Sequence, residues 1–266
     1  MTENLIQCNT CNEFKDKKHF YHNKSIKSGL SHYRCKECQK KKDEAPIVEN
    51  ENTIVSNLEF LYPEGEYMTN LITGSTKSGK TYLLNDIFKQ IHKQYDICIL
   101  FSVNCHIDNY ESMRKEGAII FDKFDGNEKV INMLHHIQKK CNNFLKILVM
   151  IDDEIQSKHN MVLKNLMTTF RNSHFTTFVS LQSHIMLNKS SRNNCHRIIC
   201  LKLNSNEELR EFVEKMLYGL IEVPKKYKSK NDKLDYLCSF YRQHTENYNC
   251  FIIDTINTKI IYYKSL

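Results

Sequence analysis

Apolar residues along the chain gather in short runs that alternate with longer stretches of helical period. The runs 67–73, 97–103, 118–121, 146–152, 175–181 and 197–203 are rich in Ile, Val, Leu and Phe and predict strands. Between them, patterns near a 3.6-residue period predict helices around 80–92, 128–141, 160–170 and 207–217. Strand following helix following strand is the signature of an α/β fold with a mainly parallel central sheet. Two last apolar runs, 251–254 and 259–263, flank Thr255-Ile256-Asn257-Thr258 and predict a closing β-hairpin. No internal repeat interrupts the series.

Composition changes this picture little in the body of the chain. With 266 residues, 41% hydrophobic and 26% charged, it is long enough for one good-sized core and a small accessory unit. No apolar run approaches the length of a membrane span, and the polar start, Met1-Thr2-Glu3-Asn4, does not resemble a signal peptide. The expectation is a soluble intracellular protein without a membrane segment.

Charge does change it. The net charge of +7 is unevenly distributed, with ten Lys and Arg against four acids in residues 1–42. Residues 43–66 then carry seven acids and neither Lys nor Arg. A basic head on an acidic hinge suggests a unit that binds a polyanion, although a solvated charged surface reads the same way. The division expected is a head at 1–42, an acidic linker at 43–57 and a main domain at 58–266.

Cysteines mark the same head. Of eleven in the chain, Cys98, Cys105, Cys141, Cys195, Cys200, Cys238 and Cys250 are scattered through the body, and most sit in apolar surroundings as reduced core residues do. Cys8-x-x-Cys11 and Cys35-x-x-Cys38 are different: two hooks of paired thiolates suit a tetrahedral Zn²⁺. His19, His22 and His32 lie between the hooks as alternative ligands, but two complete pairs make them unnecessary. Phe14, Phe20, Tyr21 and Tyr33 would form a core too small to stand without metal. Four thiolates leave no open coordination position, so this zinc is structural and not catalytic. The segment is similar to the small treble-clef-like fingers at the ends of phage and giant-virus proteins, which implies contact with nucleic acid or protein.

The richest chemistry lies at Gly74-Ser75-Thr76-Lys77-Ser78-Gly79-Lys80-Thr81, which satisfies G-x-x-x-x-G-K-[ST] with a predicted strand before and helix after. Glycines let the backbone close around a phosphate, and loop amides with the helix N-terminus point at the anion. Lys80 is placed to neutralise β- and γ-phosphate charge, and the Thr81 hydroxyl to ligate Mg²⁺. A second landmark, Lys146-Ile147-Leu148-Val149-Met150-Ile151-Asp152-Asp153-Glu154, is a buried strand ending in carboxylates. In a nucleotide-binding sheet that edge faces the phosphates, so Asp152 would hold Mg²⁺ through water. Asp153 would orient or deprotonate the attacking water, with Glu154 the alternative one residue on. A third strand ends at Gln182, whose amide could sense the terminal phosphate. Arg171 before that strand and Arg192 after it are candidates for supplying positive charge to a neighbouring subunit's nucleotide.

Together these motifs resemble the FtsK/HerA superfamily, specifically the poxvirus-type DNA-packaging ATPases of large DNA viruses and virophages. The likeness rests on Gly74 to Thr81, on Val149-Met150-Ile151-Asp152-Asp153, and on Phe170-Arg171-Asn172-Ser173-His174 leading into Thr177-Phe178-Val179-Ser180-Leu181-Gln182. Leu187, Ser191-Arg192-Asn193 and the strand at 198–203 extend it, over roughly 58–217. The resemblance implies a RecA/FtsK-HerA-like P-loop domain and a homo-oligomeric ring that hydrolyses ATP and threads double-stranded DNA into a preformed capsid. It also implies a capsid or portal-vertex partner, work at a viral assembly site in the host cytoplasm or association with the virion, Gln182 as polar sensor, and Arg171 or Arg192 as trans finger. In this family histidine usually follows arginine directly, whereas here Asn172 and Ser173 separate Arg171 from His174. Two other readings fit parts of the pattern: a P-loop nucleoside or nucleotide kinase with a four-cysteine zinc site, and a nucleic-acid-binding regulator that uses ATP as a switch.

Overall fold

The protein is described by a computed structural model. It covers residues 5–7, 14–16, 54–55, 58, 61–106, 108–153, 160–183, 186–219, 221–257 and 259–263. The chain divides into two compact units, Met1–Asn52 and Thr53–Leu266. In the first, β1 (Leu5–Gln7) and β2 (Phe14–Asp16) pair antiparallel, Gln7 opposite Phe14. The proposed zinc ligands Cys8, Cys11, Cys35 and Cys38, and the three histidines between the hooks, lie outside the described residues.

The second unit is built on a nine-stranded sheet, in the order β3-β11-β10-β9-β4-β8-β7-β5-β6. Its strands are β3 (Ile54–Val55), β4 (Thr69–Thr73), β5 (Ile97–Ser102), β6 (Ile119–Phe121), β7 (Ile147–Asp152), β8 (Phe175–Leu181), β9 (Arg197–Cys200), β10 (Cys250–Asp254) and β11 (Lys259–Tyr263). Only β10 runs against the rest: it pairs antiparallel with β9 and with β11, which forms the expected hairpin. The stretch expected as linker contributes β3, which pairs parallel with β11 and covers the edge that β11 would otherwise expose.

Every residue of β4, β7 and β8 is buried, because helices cover both faces of the sheet. Successive side chains alternate between two cores, as strand geometry demands. Leu71, Ile147, Val149, Ile151 and Val179 face one layer with Phe212 and Tyr241, whereas Ile72, Leu148, Met150 and Phe178 face the other with Leu84, Ile87 and Phe88. The second layer is α1 (Lys80–Ile91), followed in the chain by α2 (Glu111–Lys115). The first layer includes α3 (Glu128–Lys140) and α4 (Met161–Thr168). After α5 (Lys189–Asn193), α6 (Asn206–Phe212) ends in a π-helical turn, Val213–Leu217, and α7 (Lys230–His244) follows. α7 is not among the predicted helices. Its signals are nevertheless in the sequence: a Ser229–Asp232 capping box and buried Leu234, Leu237, Cys238 and Tyr241 at helical spacing. None of the seven described cysteines is in a disulfide, and five of them are buried. Among the described residues no helix is long and apolar enough to cross a membrane.

Candidate nucleotide-binding site

Register decides which side chains meet. β8 lies between β4 and β7 and parallel to both, with Thr73 opposite Leu181 and Asp152 opposite Ser180. The loop after β4, the carboxylates after β7 and Gln182 after β8 therefore emerge at one edge. In an open parallel sheet the carboxyl ends of the strands are where ligands bind.

The loop from Gly74 to Gly79 is fixed from both sides. Gly74 N–H donates to Leu181 O (3.3 Å) and Ser75 N–H to Lys202 O (2.8 Å), while Ser75 Oγ accepts from Asn204 N–H (2.8 Å). A Cβ on Gly74 would lie 2.5 Å from Ser78 Oγ and 2.7 Å from Leu201 Cβ, so only glycine fits. Gly79 caps α1 with φ of 98°, a conformation that disfavours any side chain. No side chain caps this helix and its first turn holds no acid. The uncapped amides and the positive end of the helix dipole are left for an anion.

Lys80 starts the helix and is only 6% exposed. Its ammonium donates to Gly74 O (2.8 Å) and Ser75 O (3.2 Å) and lies 4.0 Å from Asp153 Oδ2. Burial lowers its pKa, and the charges of Asp153 and Asp152 pull the other way. Thr81 Oγ1 donates to Asp152 Oδ2 (2.8 Å), and the same carboxylate oxygen accepts from Tyr110 OH (2.5 Å). Ser102 Oγ lies 3.1 Å from that phenol and completes the chain of hydroxyls.

Asp152 is 2% exposed, and its other oxygen, Oδ1, is buried with no hydrogen-bond partner among the described residues. An unsatisfied buried carboxylate oxygen is costly, and a bound cation or its water would satisfy it. Thr73 Oγ1, Ser78 Oγ and Ser180 Oγ, on the strands and loop of the same edge, are likewise buried and unpaired. The donor set is all oxygen and fits Mg²⁺ beside phosphates. Asp153 turns out of the strand with φ of 56°, its N–H bonded to Ser180 O (2.9 Å). Gln182 Nε2 donates to Asp153 Oδ2 at 2.8 Å.

The fold is that of a P-loop NTPase. Solved structures share it, among them the genome packaging NTPase B204 of Sulfolobus turreted icosahedral virus 2 in complex with AMPPCP. That match has 15% identity and a TM-score of 0.56, over 75% of this chain and 98% of that one. B204 of Sulfolobus turreted icosahedral virus, described as a DNA-packaging ATPase, matches at 13% identity and a TM-score of 0.55, over 76% and 98%. The pCW3 conjugation coupling protein TcpA with ATPγS matches at 15% and 0.57, over 91% and 76%. No family model and no curated protein matches the sequence.

Within this P-loop fold the two candidate arginines stand apart from the loop. Arg171 precedes β8, so the seven-residue strand, about 23 Å long, separates it from the phosphate edge. It pairs not with His174 but with His196, Nη1 to Nε2 at 2.5 Å. His174 stacks on Tyr67, ring centroids 4.4 Å apart. Burial lowers the His196 pKa first, and the Arg171 guanidinium adds to this. Arg192, in α5, donates to Leu187 O (2.5 Å). Neither arginine lines the cleft beside the loop. Glu154 lies outside the described residues.

Sequence reasoning missed Tyr110, Ser102 and Tyr248. Tyr110 is 42 positions from the aspartate it bonds, in a stretch with no motif around it. Tyr248 sits in a turn near the C-terminus, and only the fold of β10 and β11 against β9 brings it to the loop.

Proposed function

We propose that this chain is a Mg²⁺-dependent ATPase that moves double-stranded DNA, in the manner of the FtsK/HerA motors that package viral genomes. The observation that carries the reading is the β8 strand inserted between β4 and β7, which brings Gln182 to Asp153 beside Lys80. An acid held by a polar sensor and 4.0 Å from the loop lysine is an arrangement for hydrolysing a terminal phosphate, beyond merely binding one.

In this mechanism the loop amides and Lys80 cradle the β- and γ-phosphates. Thr81 Oγ1 and Asp152 would hold the metal, which would neutralise phosphate charge. Asp153 orients the attacking water and takes up its proton, and ADP and inorganic phosphate leave. Gln182 fixes the Asp153 carboxylate and reports whether the terminal phosphate is present. Arg171 and Arg192 are the candidates for stabilising transition-state charge across a subunit interface of a ring. The basic segment 1–42, with Zn²⁺ on Cys8, Cys11, Cys35 and Cys38, would grip DNA or dock on a capsid protein. Packaging neighbours support the packaging role at the level of fold.

Steady-state ATPase activity of the full chain, with and without duplex DNA, is the test. Duplex DNA should stimulate turnover, and Lys80→Ala should abolish it. Turnover that needs a nucleoside acceptor would establish a kinase instead, and tight ATP binding with no turnover would establish a switch. Wild-type turnover in Lys80→Ala would remove the site assignment altogether.

A further inference from the structure

The cleft beside the phosphate loop measures about 640 Å³, inside the range of small-molecule sites. It extends past the loop to residues that phosphate chemistry does not use: Tyr82, Leu83, Leu201, Tyr248 and Cys250. Two of these are large aromatics left open to solvent, Tyr82 at 75% exposure and Tyr248 at 71%.

Tyr248 is held there against backbone preference. It lies in the turn between α7 and β10, closed by Asn249 N–H donating to Glu246 O at 3.0 Å. Both central residues have positive φ, 53° at Asn247 and 62° at Tyr248. A turn with two left-handed residues belongs to the primed class, whose positions are filled by Gly, Asn and Asp. Asn247 suits it, whereas a bulky tyrosine at the second position is an outlier. Nor is the ring spent on the core, since most of it is exposed. What the turn achieves is placement: Tyr248 Cδ1 lies 3.3 Å from where a Cβ on Gly79 would stand, so the ring rests on the last glycine of the phosphate loop. Local strain that packing does not use is a pointer to function.

A nucleoside triphosphate with its β- and γ-phosphates in the loop must lay its ribose and base along this cleft. We propose that Tyr248 is the platform on which the nucleobase stacks, with Tyr82, Leu83 and Leu201 completing an apolar base subsite. The proposal rests on the nucleotide-binding reading of the loop and adds the part of the ligand that the loop motif does not recognise. Recognition is through the π face of the base, so the aromatic ring matters and the phenol hydroxyl does not.

The test compares Mg·ATP with Mg·tripolyphosphate, which carries the phosphates without a base, by calorimetric titration of the full chain. Tyr248→Ala should weaken ATP roughly tenfold or more and leave tripolyphosphate unchanged. Tyr248→Phe should bind both as the wild type does. Tyr248→Gly should lose ATP affinity like the alanine variant while melting no lower than wild type, because glycine relieves the turn. The proposal is overturned if Tyr248→Ala keeps wild-type ATP affinity, if it weakens ATP and tripolyphosphate equally, or if Tyr248→Gly is destabilised. A wild-type chain that binds tripolyphosphate but gains nothing from the base refutes the platform alone. One that binds neither ligand refutes the nucleotide site with it.

Discussion

Tyr110→Phe isolates one hydrogen bond at the heart of the candidate site. The residue is 1% exposed, and phenylalanine fills the same space less one oxygen, so packing hardly changes. What is lost is the 2.5 Å bond to Asp152 Oδ2. Hydrogen bonds to charged groups contribute about 1.5–3 kcal/mol net. Ser102 Oγ loses its contact with the phenol but still accepts from Asn104 N–H (3.2 Å), so the cost centres on the aspartate. For a domain of this size that is a fall in Tm of about 3–12 °C. The functional consequence differs from the stability loss. Asp152 Oδ2 is pinned by Thr81 and Tyr110 together, which leaves Oδ1 as the oxygen free to face a cation. With one pin gone the carboxylate can rotate, and loss of such an outer partner typically weakens metal binding 10- to 100-fold. The assay is a Mg²⁺ titration of ATPase rate at saturating ATP, beside urea unfolding without metal. A raised Mg²⁺ half-saturation with near-normal maximal rate is expected. Half-saturation within about twofold of wild type, alongside the lower stability, would make Tyr110 an ordinary core residue and refute the reasoning.

Two further outcomes follow from the same geometry. Gly74→Ala places a methyl group 2.5 Å from Ser78 Oγ and 2.7 Å from Leu201 Cβ. Loss of ATP binding is expected, with about 1–3 kcal/mol of overpacking cost and an unchanged far-UV circular dichroism spectrum; retained affinity would show that the loop closes differently. At the opposite edge, burial and Arg171 depress the His196 pKa below its unfolded value. The unfolded chain therefore binds more protons in mildly acid solution, and the stability from this group, present above the unfolded pKa, is lost as pH falls through the folded one. His135 and His244 are depressed in the same direction by burial. Urea unfolding should show stability falling from pH 7.5 towards 5.5, with a shallower fall in His196→Asn; equal slopes in the two proteins would clear His196 of the effect.

Most of the sheet was legible because its strands are buried on both faces and read as unbroken apolar runs between helical patterns. β4, β5, β7 and β8 appear within a residue or two of the expected spans. Besides the short α2 and α5 and the β1–β2 pair, two elements lie outside the expected set for separate reasons. In α7 the apolar residues are confined to the middle, 234–241, between the wholly polar 230–233 and 242–244, so its apolar stripe is short. β3 is two residues long and owes its existence to an exposed edge of β11, a tertiary cause without a local pattern.

The candidate site divides along the same line. The loop from Gly74, Asp152, Asp153 and Gln182 lie at or just beyond the ends of β4, β7 and β8, and a parallel sheet in register gathers such ends. Nothing local fixes which side chains reach them from elsewhere. Tyr110 arrives on a short helical turn braced by Asn85 Nδ2 donating to Asn109 O (2.6 Å), so its role depends on how α1 packs. The arginines show the converse limit. Arg171 falls in the motif where the resemblance expects a finger, yet the two residues inserted before His174 turn that histidine into the left-handed region, φ 59°. His174 then stacks on Tyr67, and His196, from before a different strand, becomes the partner of Arg171. A motif thus transfers a residue's place along the chain, but its partner follows from the spacing of the residues around it.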